Sequence, residues 1–156
     1  MVNLIPSTIS KDTNYGERVL FSAFEDVVDR PNWTVLYSLH QYKVVEGREA
    51  EGDFVVLIPG KGIVVIEAKG ATGVDLEGDV WIIDGVPSDA RNKSPMAQAE
   101  NTRNNVIAQL LANDIDVSGL PVARLVWFPK MDPYQFNEIG ERGMEMYEWE
   151  IAFREG

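Results

Sequence analysis

Apolar residues near the N-terminus recur every three or four positions and predict an amphipathic helix. The stripe consists of Val19, Leu20, Ala23, Phe24, Val27 and Val28. Asn14, followed three residues later by Glu17, forms a capping pair for the start of this helix. The helix is expected to end near Asp29, because Arg30 precedes a proline and the residue before proline disfavours helical dihedrals.

The middle of the chain has the patterning of β-strands. Two strongly apolar runs, Asp53–Ile58 and Ile63–Lys69, flank Pro59–Gly62, whose glycines suit the connection of a hairpin. The preceding segment, Gln41–Gly52, is polar and contains glycine, so most of it is predicted to be a loop. Further strands are predicted at Trp33–Leu39, Val74–Leu76, Val80–Ile83 and Val122–Phe128. The hairpin and the two short strands after it predict a meander at the centre of the chain.

A second helix is predicted from Ser94 to about Ala112, because Ser94 suits the N-cap and Pro95 the first helical position. The order helix, strand, hairpin, ribbon, helix, strand is typical of a mixed α/β domain. A chain of 156 residues is long enough for one core, and residues 1–156 are expected to fold as a single domain. The abrupt end of the sequence, Trp149–Gly156, is consistent with an N-terminal fragment of a longer chain.

The composition narrows the chemistry that the chain can perform. It has no cysteine and one histidine, His40, which excludes disulfides, thiolate nucleophiles and metal sites built from several histidines of one chain. Any metal is therefore expected to be held by oxygen. The formal net charge is −11, so non-specific coating of nucleic acid is not expected. No signal sequence or long apolar segment is found, and we expect a soluble cytoplasmic protein without a membrane partner.

Three charged residues, Asp53, Glu67 and Lys69, stand at the ends of the apolar hairpin strands. Burial of a charge is costly, so such groups are usually near water, paired, or bound to an ion. Strand alternation places Glu67 and Lys69 on one face of their strand. If the connection is the four residues Pro59–Gly62, Asp53 lies opposite Ala68 and on the wrong face. If the connection is instead the five residues Ile58–Gly62, or if a bulge adds one residue, Asp53 lies opposite Glu67.

Two carboxylates on one face suit the hydrolysis of a phosphodiester. Asp53, Glu67 and the backbone carbonyl of Ala68 are candidate ligands of Mg²⁺, with Mn²⁺ as a substitute. Such a metal polarises the phosphate and lowers the pKa of a bound water. Lys69 is expected to orient that water and to neutralise the charge that develops on the phosphate oxygens in the transition state.

An ordered set of motifs resembles a known family. The triplet Glu67-Ala-Lys69, with Asp53 opening the preceding strand, is similar to the PD-(D/E)XK nuclease superfamily. Within that superfamily, nearly the whole chain resembles the nuclease-related domain (NERD). The motifs that carry this resemblance are Ile5-Pro-Ser-Thr-Ile-Ser10, Gly16-Glu17, Glu51-Gly-Asp53-Phe, Gly62-Ile-Val-Val-Ile-Glu-Ala-Lys-Gly70, Ser94-Pro95 with Gln98, and Val126-Trp-Phe-Pro129. The first motif is most similar to the form that precedes a UvrD-like helicase in a longer polypeptide.

The resemblance implies a restriction-endonuclease-like fold, in which helices flank a mixed central sheet, and a metal-dependent nuclease that hydrolyses DNA. It implies that Asp53, Glu67 and Lys69 form the metal and catalytic core. It further implies that Glu17 is an accessory acid and that Gln98 is a polar residue of the site. DNA and a helicase module, in the same chain or in a partner, are the implied partners in DNA processing or repair.

Simpler interpretations exist for several of these residues. Glu17 also suits a purely capping role, and Gln98 an ordinary helix position. The tryptophans in strand-like runs, Trp33, Trp81 and Trp127, are interpreted as core residues rather than as platforms for bases. His40 is interpreted as an ordinary residue of a loop or strand end.

The function has alternatives as well. A catalytically silent module that binds DNA or docks a helicase is the main alternative, and a plain structural fragment is a third. Basic residues form no stripe along the sequence. Loops around the site are nevertheless able to gather Arg48, Arg91 and Lys93 into a rim that contacts phosphates.

Overall fold

A mixed α/β fold is seen across residues 1–43, 48–91, 93–139 and 146–154, which the computed structural model describes. The long helices are α1 (Tyr15–Glu25) and α2 (Pro95–Ala112). The strands in chain order are β1 (Asn3–Ile5), β2 (Thr34–Lys43), β3 (Arg48–Ile58), β4 (Gly62–Ala68), β5 (Val74–Glu77), β6 (Val80–Ile83), β7 (Val86–Pro87), β8 (Val122–Phe128), β9 (Phe136–Ile139) and β10 (Ile151–Phe153). Short 3₁₀ turns occupy Pro133–Gln135 and Glu148–Glu150.

The larger sheet has the strand order β1-β2-β3-β4-β8-β10. β2, β3 and β4 pair antiparallel, whereas β1, β8 and β10 run parallel to their neighbours. The expected mixed central sheet flanked by helices is therefore confirmed. No helix in the described ranges has the length and apolar character needed to cross a membrane.

The two helices cover opposite faces of this sheet. Phe21 of α1 packs in one cluster with Phe54 of β3, whereas Val106 of α2 packs with Val55 and Val65. Neighbouring residues of β3 thus point to different helices, as the period of two along a strand requires. The predicted bounds of α2 and β8 are confirmed, because a proline-led helix start and a continuous apolar run are strong local signals.

Three sequence predictions about the elements were wrong. The segment Gln41–Gly52 is not mostly loop, because backbone pairing extends the β2–β3 ladder through polar residues as far as the pair Lys43↔Arg48. Helix α1 ends at Glu25 rather than near Asp29. The backbone N–H of Asp26 donates to carbonyl oxygens of the last helical turn and caps the helix at that point. The β5–β6 ribbon does not continue a central meander but belongs to a second sheet, of order β7-β6-β5-β9.

Gly62 is required where the β3–β4 connection approaches the start of β8. Its φ of +150° disfavours other residues, and a Cβ there would clash with the backbone oxygen of Pro121. We expect Gly62→Ala to lower the free energy of unfolding by about 2–4 kcal/mol, from strained backbone and overpacking together. Urea unfolding of the purified variant measures this change.

Gly60 provides the matched control for that substitution. It also has a positive φ, +74°, but a Cβ there would meet no atom within 4 Å. Gly60→Ala should therefore cost only the backbone strain, about 1–2 kcal/mol. Equal losses in the two variants would show that the contact with Pro121 contributes nothing.

Candidate active site

The register of the β3–β4 hairpin places Asp53 opposite Glu67. The ladder pairs Phe54 with Ile66, and at the turn it pairs Ile58 with Gly62. Continued by one residue beyond Phe54, this register sets Asp53 across from Glu67. The shift of one residue that the catalytic interpretation required is therefore present.

Both carboxylates lie on the face of the sheet that α2 covers, because they alternate in step with Val55 and Val65. Asp53 Oδ2 accepts a hydrogen bond of 3.0 Å from the backbone N–H of Ala68, so the side chain reaches across to β4. Glu67 is only 7% exposed. The Lys69 Nζ lies 3.0 Å from Glu67 Oε1 and is the cation of the group.

Burial controls the protonation of the two acids. Burial, the charge of Glu67 and, to a smaller extent, the charge of Glu17 together raise the pKa of Asp53 from 3.8 to about 7. The hydrogen bond from Ala68 and the charge of Lys69 oppose this rise. Burial also raises the pKa of Glu67, although Lys69 lowers it. The two carboxyl groups are therefore costly to ionise together in the folded protein, and a bound cation would remove that cost.

Glu17 reaches the same region from the other side of the sheet. Its N–H donates 3.0 Å to the Asn14 side chain, so the predicted capping pair is present. Its Oε2 accepts a hydrogen bond of 2.8 Å from the Tyr37 hydroxyl. Helix α1 comes this close because residue 16 is glycine: a Cβ on Gly16 would lie 3.1 Å from the backbone nitrogen of Gly70. Glu17 is thus both a cap residue and a neighbour of the two acids.

Gln98 faces a cavity that also borders Lys69. The cavity has a volume of about 270 Å³ and lies between the β6–β7 ribbon and the start of α2. The Gln98 Nε2 donates 3.0 Å to the backbone oxygen of Lys93, which lines the same cavity. The structure therefore brings Gln98 and Lys93 to the cavity that Lys69 also lines.

Of the predicted phosphate-contacting rim, Lys93 borders this cavity and Arg91 is exposed in the preceding loop. The side chain of Arg48 lies outside the described residues. Sequence reasoning missed Tyr37, the partner of Glu17. The sequence did offer a signal for Tyr37, namely a tyrosine within an otherwise apolar strand. A buried tyrosine hydroxyl usually needs a hydrogen-bond partner, and this need indicates a polar group nearby.

The donor set fits a hard divalent cation. Asp53 and Glu67 offer carboxylate oxygens, and the sequence contains no cysteine thiolate that would favour a softer metal. Within the described ranges, no cluster of three or more His, Cys, Asp or Glu side chains is arranged for a metal. Two carboxylates would thus need the Ala68 carbonyl and water to complete the ligands, and Mg²⁺ commonly keeps several waters.

Comparison with known proteins supports the resemblance drawn from the motifs. The family model described as the nuclease-related domain, NERD, matches residues 13–129. This segment includes every predicted site residue, from Glu17 to Gln98. No curated protein and no solved structure matches the chain significantly. Because the family match spans most of the sequence, the chain belongs to the nuclease-related domain family.

Proposed function

We propose that this domain is a metal-dependent nuclease that hydrolyses DNA phosphodiester bonds. The observation that carries the proposal is the pairing of two acids, the half-buried Asp53 and the buried Glu67, beside the ammonium group of Lys69. The raised pKa values of the acids add to it, because perturbed carboxyl groups concentrate at functional sites. The proposal extends the nuclease-related family assignment to a particular substrate and cofactor.

Magnesium is the proposed cofactor, and Mn²⁺ the substitute. Asp53 and Glu67 would hold it through their carboxylates, with the backbone carbonyl of Ala68 as a third ligand. The Ala68 N–H points to Asp53, and the N–H and carbonyl of one strand residue point to the same side. When bound, the ion supplies positive charge to the phosphate and acidifies a water.

Lys69 supplies the positively charged side chain of the proposed site. Its side chain is 31% exposed, so the ammonium group reaches both the buried Glu67 and the solvent. From there it orients the attacking water and donates to the phosphate oxygen on which negative charge grows. Glu67 holds the ammonium group in place through the 3.0 Å ion pair.

Glu17 is proposed as an accessory acid that tunes the pair. Its charge raises the pKa of both Asp53 and Glu67. Glu17→Gln should therefore lower the pH at which cleavage reaches half its maximum by about 0.5 unit, or about 0.7 kcal/mol. The measurement is a pH–rate profile at sub-saturating Mg²⁺, where the proton and the metal compete for the two carboxylates.

Glu25→Gln on the exposed end of the same helix is the control for Glu17→Gln, and it should leave the profile unchanged. Glutamine retains the capping geometry, so a residue that only caps the helix would also leave the profile unchanged. An unshifted profile in Glu17→Gln would thus assign the residue to the cap alone.

Metal titration by calorimetry, followed by DNA cleavage, tests the proposed function. Mg²⁺ and Mn²⁺ should bind the natural protein, and Glu67→Ala and Asp53→Asn should abolish this binding. Nicking of supercoiled DNA and cleavage of single-stranded DNA should be lost in parallel. Glu77→Ala, which removes an exposed acid from β5, is the control that should keep both properties. A folded protein that binds no metal and cuts no DNA would contradict the proposal.

One observation favours a second candidate, a silent module that docks a helicase or recognises DNA. The net charge of −11 opposes binding of DNA by this domain alone, so a partner would supply that affinity. The opening hexapeptide, similar to the form that precedes a UvrD-like helicase, makes a helicase module the proposed partner for both candidates. Absence of metal binding in folded protein would favour this second candidate.

A further inference from the structure

The cavity beside Lys69 combines apolar walls with positive charge. Ile83 and Val86 of the second sheet and Trp81 form its apolar side. Lys69 and Lys93 line it as well. An apolar surface that ends in cationic groups is complementary to a nucleotide, whose base has apolar faces and whose phosphate is anionic.

Lys93 is available to an anion. Across the residues that the structure describes, no carboxylate lies within ion-pair distance of its ammonium group, and the side chain is exposed. Lys69 belongs to both the proposed catalytic centre and the cavity. Its ammonium group pairs with Glu67, and its side chain also lines the cavity. The cavity is therefore continuous with the proposed catalytic centre through one side chain.

Trp81, which lines the cavity, carries a buried hydrogen-bond donor without an acceptor in the described part of the chain. Trp81 is fully buried, and its indole Nε1 has no hydrogen-bond partner among the described residues. A buried donor without an acceptor is costly, and a ligand acceptor that reaches it would remove that cost. No comparable side-chain atom is found elsewhere in the described ranges.

We propose that this cavity binds one unpaired nucleotide next to the scissile phosphate, so that the nuclease acts on single-stranded DNA or unpaired ends. This inference rests on the proposed function. The cavity, with a volume of about 270 Å³, is of the size of a single nucleotide. A nucleotide within an intact duplex is stacked and paired, so it must leave the helix at an energetic cost before it can enter such a pocket. A nucleotide of single-stranded DNA is already unpaired, so this cost does not arise.

Nucleotide binding tests the cavity independently of cleavage. The four tryptophans give four indole N–H resonances in an NMR spectrum, and Trp81→Phe identifies the one from Trp81. Deoxyadenosine 5′-monophosphate should shift this resonance, whereas inorganic phosphate at the same concentration should not. Lys93→Ala should weaken nucleotide binding at least fivefold. Lys61→Ala, in the β3–β4 turn outside the cavity, should leave the binding unchanged. Equal shifts with phosphate, or no shift with the nucleotide, would overturn the proposal.

Cleavage tests the consequence for substrate choice. Single-stranded DNA should be cut at least tenfold faster than a duplex of the same sequence. Val86→Trp, at an exposed position in the cavity wall, should reduce single-strand cleavage toward the duplex rate without unfolding the protein. Equal rates on both substrates with the natural protein would overturn this inference and leave the nuclease function intact. Loss of cleavage on every DNA, with nucleotide binding retained, would instead contradict the proposed function and support the binding cavity.

Discussion

Replacing Asp53 with Asn should abolish cleavage and, without metal, make the protein more stable. Asn keeps an oxygen to accept the hydrogen bond from Ala68, but it removes a charge from the pair of acids. Loss of a carboxylate proposed to hold the metal should lower the cleavage rate by about 10³-fold or more. Cleavage of a labelled DNA strand at saturating Mg²⁺ measures that loss.

The stability gain follows from the sign of the pKa shift. In the folded protein the pKa of Asp53 is about 7, against an ordinary value of 3.8 in the unfolded chain. Below the lower value the carboxyl is protonated in both states. As the pH rises from there toward 7, the unfolded chain ionises first, so stability is lost across this window and stays reduced above it.

Asp53→Asn removes the ionisable group and therefore this loss of stability. We expect a gain of about 1–3 kcal/mol in the free energy of unfolding at pH 8 in the presence of a chelator. No gain is expected at a pH below 4. Glu77→Gln, on the exposed side of β5, should change neither value. Destabilisation by Asp53→Asn at pH 8 would show that the carboxylate is held by favourable contacts rather than crowded.

Replacing Lys69 with Met should remove catalysis in a way that added metal cannot restore. Methionine keeps much of the apolar stem but removes the charge that stabilises the transition state, at an expected cost of about 10²–10³-fold in kcat. The pKa of Glu67 should rise further, because Lys69 is the group that lowers it. Because Lys69 also competes with a cation for the Glu67 carboxylate, metal binding should be retained in the variant, whereas cleavage should stay low.

The two readouts separate the roles of Lys69. Calorimetry at two pH values follows metal affinity, and single-turnover cleavage at saturating Mg²⁺ follows the chemical step. Lys61→Met, in the exposed β3–β4 turn, serves as the matched control. Recovery of full cleavage in Lys69→Met at high pH and high Mg²⁺ would reduce the role of Lys69 to lowering the pKa of Glu67.

Much of the candidate site was predictable from local sequence. The apolar runs that end in Asp53, Glu67 and Lys69 marked charges that folding would have to accommodate, and alternation set Glu67 and Lys69 on one face. Helix α2 and strand β8 followed from the Ser94-Pro95 start and from an uninterrupted apolar run. These features are decided within a few residues, so tertiary contacts did not alter them.

The sequence alone left two registers open, because the glycine-rich connection permits either. Contact with the rest of the sheet selects the observed one: Gly62 meets Pro121, and the neighbouring ladder pairs Ile63 with Val122. The polar end of the β2–β3 hairpin was likewise decided by backbone pairing, which depends little on the side chains.

By itself, then, the sequence determined the family, the types of the long elements and the three charged residues of the candidate site. Only the tertiary structure decided what surrounds them. Glu17 approaches because Gly16 packs against Gly70, and the cavity exists because a second sheet places the β6–β7 ribbon beside α2. Such contacts join residues that are distant along the chain, and no local propensity encodes the distance between them.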